Sequence, residues 1–273
     1  MNILIIDRDR DSCEHLRGLL EDEGRNRVAV EPIKNSAIEL IRKEDFDVIF
    51  YDPVPQNEMR SFIVGVRRST GAFPPFVLIT HNLTRAQALA AGGNAILQKP
   101  IDDAKALKAA RDAASISKIS RLMADESEDF PSKNGIIAKS AFNQLWITSL
   151  DRADRHGEES FFIFIEVENL DQIAAKDGAE AAAEVAGNLR KTISRTRRTS
   201  DIAGHIRSAQ FCLLLSRPSR EDEPFLAANR FAESLKENHD LISTTPTRAI
   251  LKISLLSVPS GETPIEHIVG RDS

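Results

Sequence analysis

Four residues stand where apolar runs stop: Asp7 after "LII", Asp52 after "IFY", Thr80 at the end of "VLIT", and Lys99 in "ILQKP". One acid receiving a phosphoryl group, a second acid beside a metal ion, a hydroxyl and a lysine would make a phosphoryl-transfer pocket. Magnesium neutralises the phosphoryl oxygens there, and Lys and Thr contact them after transfer. The second half of the chain carries its own charged positions. Glu166 and Glu168 close the apolar run "FFIFIEVE", and Arg198 and Asp201 frame an Arg-x-x-Asp, with five residues between Asp201 and Arg207. Carboxylates at a strand end are commonly just solvated, and an Arg-Asp pair also bridges or caps helix ends.

The first four residues can meet only if their runs are parallel strands of one sheet, whose C-terminal ends gather a site. Residues 1–115 alternate short apolar runs with amphipathic segments, which predicts a doubly wound α/β domain with helices on both faces. "DSCEHLRGLLEDEG" reads as a helix ending at Gly24, and "NSAIELIRKED" as a helix capped by Asn35. A long helix is expected over 101–125, its leading Asp102 and Asp103 suiting the helix dipole. The charged stretch "ESEDFPSKNG" reads as linker. Beyond it, helices and strands mix. "NLDQIAAKDGAEAAAEVAGNLRKTISRTRR" is helical with a break near Gly178, and "HIRSAQFCLLL" is a hairpin. The expected domains are 1–117, a helical linker 118–133, and 134–273 with a mixed sheet.

Bulk properties narrow the partners. The 273 residues carry a net charge of −5, which disfavours general nucleic-acid binding. Few aromatics, with a single Trp and a single Tyr, disfavour a base-stacking nucleic-acid surface. There is no run of membrane-span length, and the chain starts directly on a strand, so neither a membrane span nor a signal peptide is expected. Cys13 and Cys212 fall in separate halves and suggest neither disulfide nor zinc site; a reducing cytoplasm fits them.

Residues 1 to about 117 resemble the receiver domain of two-component response regulators, which has a flavodoxin-like fold. The resemblance makes Asp52 the phosphoacceptor, Thr80 the switch hydroxyl, and Lys99, before Pro100, the pocket lysine. Two departures stand out. Ile96 occupies the place of the switch aromatic, and Arg8 follows Asp7 where receivers have a second acid that binds magnesium. A guanidinium binds no metal, but Arg8 could reach Asp52 and mimic a bound cation, while Asp9 could substitute as ligand. Asp7 and Asp52 are the candidate magnesium ligands of the pocket. The domain is either a switch phosphorylated by a histidine kinase or a pseudo-receiver used for docking or dimerisation.

The second half resembles the GGDEF domain of diguanylate cyclases, a nucleotidyl cyclase-like α/β fold. Glu166 falls on the family's first metal-binding acid, and Arg207-Ser208-Ala209-Gln210-Phe211 falls on the GGDEF signature. Only Phe211 is retained. Ala174 and Ala183 stand at the guanine-reading positions, and Leu170-Asp171 replaces a phosphate-binding Phe-Lys. Two-metal phosphoryl chemistry needs carboxylates, so the resemblance implies no cyclase activity and no metal in this domain. It also implies that Arg198 and Asp201 match the family's product-inhibition site, with Arg230 as its additional arginine. Cyclic di-GMP offers phosphates and guanine edges to Arg and ring N–H groups to Asp. Arg195 and Arg197 are expected to be solvated. "LKISLLSVPSGETPIEHIVGRDS" is expected to hold a late strand and the start of a helix, with the family's closing strand cut short.

The expectation is a non-catalytic cyclic di-GMP receptor in bacterial signalling, cytoplasmic and homodimeric. It would act by recruiting a polarity, motility or other signalling protein, with a cell pole as one candidate place. A ligand-free scaffold, dimerising through the 101–125 helix, is the alternative; a residual diguanylate cyclase is a more remote one, and a DNA-binding output the weakest.

Overall fold

The computed structural model describes residues 1–22, 26–70, 75–216, 218, 220–238, 245–258 and 260–269. The N-terminal sheet has five strands: β1 (Asn2–Ile6), β2 (Arg27–Val30), β3 (Val48–Tyr51), β4 (Phe76–Thr80) and β5 (Ala95–Leu97). All are parallel, in the order β2-β1-β3-β4-β5. Strands β3 and β4 are buried throughout, as continuous apolar runs in a sheet covered on both faces must be. This is the expected flavodoxin-like order. Its direction reverses between β1 and β3, which opens a crevice beyond their C-terminal ends. Asp7 and Asp52 are the residues that follow those two ends.

Helices α1 (Arg10–Asp22), α2 (Lys34–Lys43), α3 (Met59–Ser69), α4 (Arg85–Ala90) and α5 (Asp103–Ala124) connect and follow these strands. Asn35 does not cap α2. The helix starts one residue earlier, Ile33 is the N-cap without a side-chain bond, and Asn35 lies in the first turn. A capping box that the sequence reading passed over starts α4, where Thr84 and Gln87 exchange hydrogen bonds. The expected helix stop at Gly24 lies outside the described residues. Asp102 opens α5 by accepting from the Lys105 N–H at 2.9 Å, and the helix then runs unbroken past residue 117.

The second sheet has six strands: β6 (Ile136–Ile137), β7 (Ser160–Val167), β8 (Ile202–Arg207), β9 (Gln210–Leu215), β10 (Ile250–Val258) and β11 (Gly261–Val269). Their order is β11-β10-β7-β9-β8-β6. The β8–β9 hairpin and the β7–β9 pair are antiparallel and β6–β8 is parallel, so the sheet is mixed, as expected. One face buries Ile163, Ile165 and Leu213 under α8 (Ala179–Thr196) and α9 (Glu223–Lys236). On the other, Phe142 and Trp146 of α6 (Lys139–His156) pack edge-on against Phe162. Gly178, at φ 99°, separates α7 (Leu170–Asp177) from α8, a conformation that L side chains rarely adopt.

The end of the chain differs from the reading. Among the described residues no helix begins after β10; residues 261–269 form β11, a nine-residue edge strand. Pro264 lies inside it, and an edge strand is where a residue with no N–H is tolerated. Among the described residues no helix is long and apolar enough to cross a membrane.

Candidate functional site

The N-terminal constellation does converge. Lys99, after β5, donates from Nζ to Asp7 Oδ2 and to Asp52 Oδ2, both at 2.6 Å. Burial works against the Lys99 charge, but its bonds to Asp52 and Asp7 outweigh it and its pKa is raised. Thr80 is buried at the end of β4. A cavity of about 220 Å³ opens beside these residues, lined in part by Asp7, Arg8, Asp9, Lys34, Asp52 and Val54.

Two expectations fail here. Arg8 does not take the Asp52 carboxylate: it is exposed, and Asp52 receives Lys99 on one oxygen and His81 Nδ1, at 2.9 Å, on the other. Asp9 does not turn into the pocket as a ligand; its Oδ1 accepts from the N–H groups of Asp11 and Ser12 and caps α1. Magnesium would find two carboxylates already bridged by an ammonium, and a third acid, Asp9, whose Oδ1 is taken by the start of α1, so the residues as arranged do not fit it. Among the described residues no group of three His, Cys, Asp or Glu side chains is set to hold a metal ion. His81 escaped the sequence reading, although its position directly after Thr80 puts it at the same strand end. Cys13 donates to the Asp7 carbonyl at 3.3 Å. Burial, reinforced by the charges of Asp7 and Asp9, pushes its thiol up to about 11, so it is no nucleophile at neutral pH.

In the second domain, Glu166 lies opposite Gln210 in the β7–β9 register. Gln210 Nε2 donates to Glu166 Oε2 at 2.8 Å. Lys252 Nζ is 3.7 Å from Glu166 Oε1 and 3.6 Å from Glu262 Oε1. Glu166 is therefore not the solvated strand end that was expected, whereas Glu168 is exposed. A cavity of about 320 Å³ lies here, lined among others by Asp125, Glu168, Asp171, Arg207, Ala209 and Gln210. Arg207 reaches Asp125 at 3.5 Å. Ala209 is buried in the hairpin turn, and its carbonyl accepts from the Val167 N–H at 3.0 Å. Phe211 is fully buried and stacks on His205 at 4.5 Å, which stacks in turn on Phe130 at 4.0 Å. Burial lowers the His205 pKa. At the guanine-reading positions, Ala174 packs at the core margin beside Leu170, and Ala183 is exposed.

The Arg-x-x-Asp forms a closed turn. Asp201 N–H donates to the Arg198 carbonyl at 3.1 Å, and Arg198 N–H donates to Asp201 Oδ2 at 3.3 Å. Asp201 is buried in that turn. Arg195 is exposed, but Arg197 is not a solvated side chain. Its Nη1 donates to the Asp201 carbonyl at 2.9 Å, and its guanidinium packs over Gly135, φ +74°, where a Cβ would collide with Nη2. The Arg198 side chain is 53% exposed and reaches Glu223 Oε1 at 2.6 Å, which raises its pKa. Glu223 begins α9 and Arg230, exposed, follows seven residues later. That spacing puts both on one helix face, about 10 Å apart along the axis. Arg198 and Arg230 are thus assembled on one surface, whereas the Asp201 carboxylate serves its own turn.

Parts of the chain are similar to solved structures. The GGDEF domain of TpbB (YfiN) from Pseudomonas aeruginosa is 21% identical, with 44% of this chain and 70% of that one covered and a TM-score of 0.37. A two-component response regulator from Clostridium difficile is 21% identical over 42% of this chain and 95% of that one, TM-score 0.36. A response regulator from Thermotoga maritima is 20% identical over 42% and 97%, TM-score 0.38. No curated protein sequence matches. The family model described as diguanylate cyclase, GGDEF domain, matches residues 132–269, half of the chain, and the chain belongs to the GGDEF family.

Proposed function

We propose that the protein is a non-catalytic receptor for cyclic di-GMP that signals by protein–protein contact, with Arg198 and Arg230 as ligand-binding arginines and Asp201 as the residue that shapes their loop. The observation that carries this reading is the shared α9 face. Arg198 is presented at its start by an exposed pair with Glu223, and Arg230 stands two turns along it. An exposed pair contributes little, so Arg198 can exchange Glu223 for a phosphate or a guanine edge at small cost. Loss of catalysis follows from Glu166, whose carboxylate is engaged by Gln210 and faced by Lys252 rather than left for a metal. Asp52 is the candidate phosphoacceptor of the N-terminal domain, and a docking role for that domain as a pseudo-receiver is the competing reading.

Isothermal titration of the full chain with cyclic di-GMP is the test. Saturable binding is expected, weakened about tenfold or more in Arg198→Ala and in Arg230→Ala, the loss of a hydrogen bond to a charged group. No binding by the native chain, or unchanged affinity in both variants, would sink the receptor. Turnover of GTP with magnesium or manganese would restore the cyclase reading. One observation favours a ligand-free scaffold: Asp201 Oδ2 already accepts from the Arg198 N–H and the Arg198 guanidinium already has a carboxylate partner. A flat titration would leave that reading in possession.

A further inference from the structure

Both carboxylate oxygens of Asp52 are occupied by side chains of the same domain. Oδ2 accepts from the Lys99 ammonium, which Asp7 also holds. Oδ1 accepts from His81 Nδ1 at 2.9 Å. The imidazole is itself held from its far side, where the Gln56 amide Nε2 lies 2.7 Å from His81 Nε2. An amide nitrogen only donates, so His81 Nε2 accepts and the ring proton sits on Nδ1, aimed at Asp52. Both contacts therefore require the same tautomer. Gln56 opens the 3-10 turn after β3, and His81 follows Thr80 at the end of β4. The pair latches one strand-end loop to its neighbour over Asp52. The latch lies toward solvent: Gln56 is exposed and the His81 side chain is 24% exposed, against 10% for Asp52.

A carboxylate attacks phosphorus through a lone pair on one oxygen. Here Oδ2 faces a lysine fixed by two acids, and Oδ1 faces an imidazole fixed by one exposed amide. We propose that His81, latched by Gln56, is a gate that covers the nucleophilic oxygen of Asp52 and sets the access of small phosphodonors to it. The gate rests on the reading of Asp52 as phosphoacceptor. When the imidazole swings away, Oδ1 attacks the phosphorus of an acyl phosphate. The Oδ1–P bond forms as the bond from phosphorus to the acyl oxygen breaks, and the carboxylate leaves with that electron pair. Lys99 stays in place throughout, anchored by Asp7.

The experiment is incubation of the full chain with acetyl phosphate, magnesium supplied throughout, and intact-mass spectrometry of the phosphorylated fraction over time. His81→Ala should be modified about tenfold faster than the native chain or more, the factor corresponding to about 1.4 kcal/mol. Gln56→Ala, which removes the latch and keeps the imidazole, should fall between the two. Asp52→Asn should abolish modification in every background. If His81→Ala and the native chain are modified equally at Asp52, the gate falls and the phosphoacceptor stands; if neither is modified, both fall. Imidazole nitrogen NMR on the native chain supplies a readout independent of the variants' folding. A His81 ring protonated at Nε2 rather than Nδ1 would also overturn the gate.

Discussion

Each domain sets a lysine between two carboxylates, and the two settings differ in closeness. Lys99 lies 2.6 Å from both Asp7 and Asp52, and the Asp7 side chain is 2% exposed. Lys252 lies 3.7 Å from Glu166 and 3.6 Å from Glu262, and these acids keep more of their surface. The cause is architectural. The first trio comes from residues after three parallel strands that end at one crevice, so the side chains point at a common centre. The second comes from β7, β10 and β11, neighbours across one sheet, whose side chains stand side by side at the strand spacing. Convergence builds a pocket; adjacency builds a ladder. The same residue types thus make a tightly bridged trio in one domain and a looser row in the other.

The widest test of that contrast is removal of the two lysines. Lys99→Met leaves Asp7 buried and uncompensated and should destabilise the N-terminal domain by about 3 kcal/mol or more, read by urea unfolding through the tyrosine signal of Tyr51, the chain's single Tyr. Lys252→Met in the other domain should cost about 1 kcal/mol or less, read through Trp146, its single Trp. Equal costs would erase the contrast. Between these falls Gly135→Ala, which forces a side chain into positive φ and against the Arg197 guanidinium. A loss of about 1–3 kcal/mol by the Trp146 signal is expected, and no loss would mean that Arg197 does not hold the turn.

The domains should also fail at opposite ends of the pH scale. Lys99 has a raised pKa in the folded state, so its stabilisation is complete below the ordinary lysine value and is lost as pH rises through the raised one. His205 has a lowered pKa, because burial disfavours its charge. The folded state therefore prefers the neutral ring; its stability is complete above the ordinary histidine value of about 6.5 and declines as pH falls below it. Unfolding midpoints across pH should show the Trp146 transition weakening in acid. His205→Phe, which keeps the stack on Phe130 and Phe211, should flatten that dependence; an unchanged acid slope would exclude His205 as its source.

The sequence revealed what is local. Strand ends mark themselves by an apolar run and the polar residue after it, so the meeting of Asp7, Asp52 and Lys99 was legible, as was Gly178 as a helix break. His81 was not, because one histidine beside a strand has no periodicity; its role depends on Asp52 and Gln56, brought close by the fold. Arg197 sits in an arginine cluster that reads as surface, and only the distant Gly135 makes room for it. For β11 the apolar spacing of residues 261–269 does not choose between strand and helix start. The choice is made by pairing along β10, which no local pattern records.

The six-stranded sheet also has two borders of different construction. One is the two-residue β6; the other is β11, interrupted by Pro264. Neither offers a long, unbroken row of backbone donors and acceptors to a foreign strand. The apolar β7 and β9, the segments best able to nucleate cross-strand stacking between molecules, lie inside these borders. The sheet can therefore be synthesised in quantity and concentrated at one place in a cell with little tendency to polymerise edge to edge.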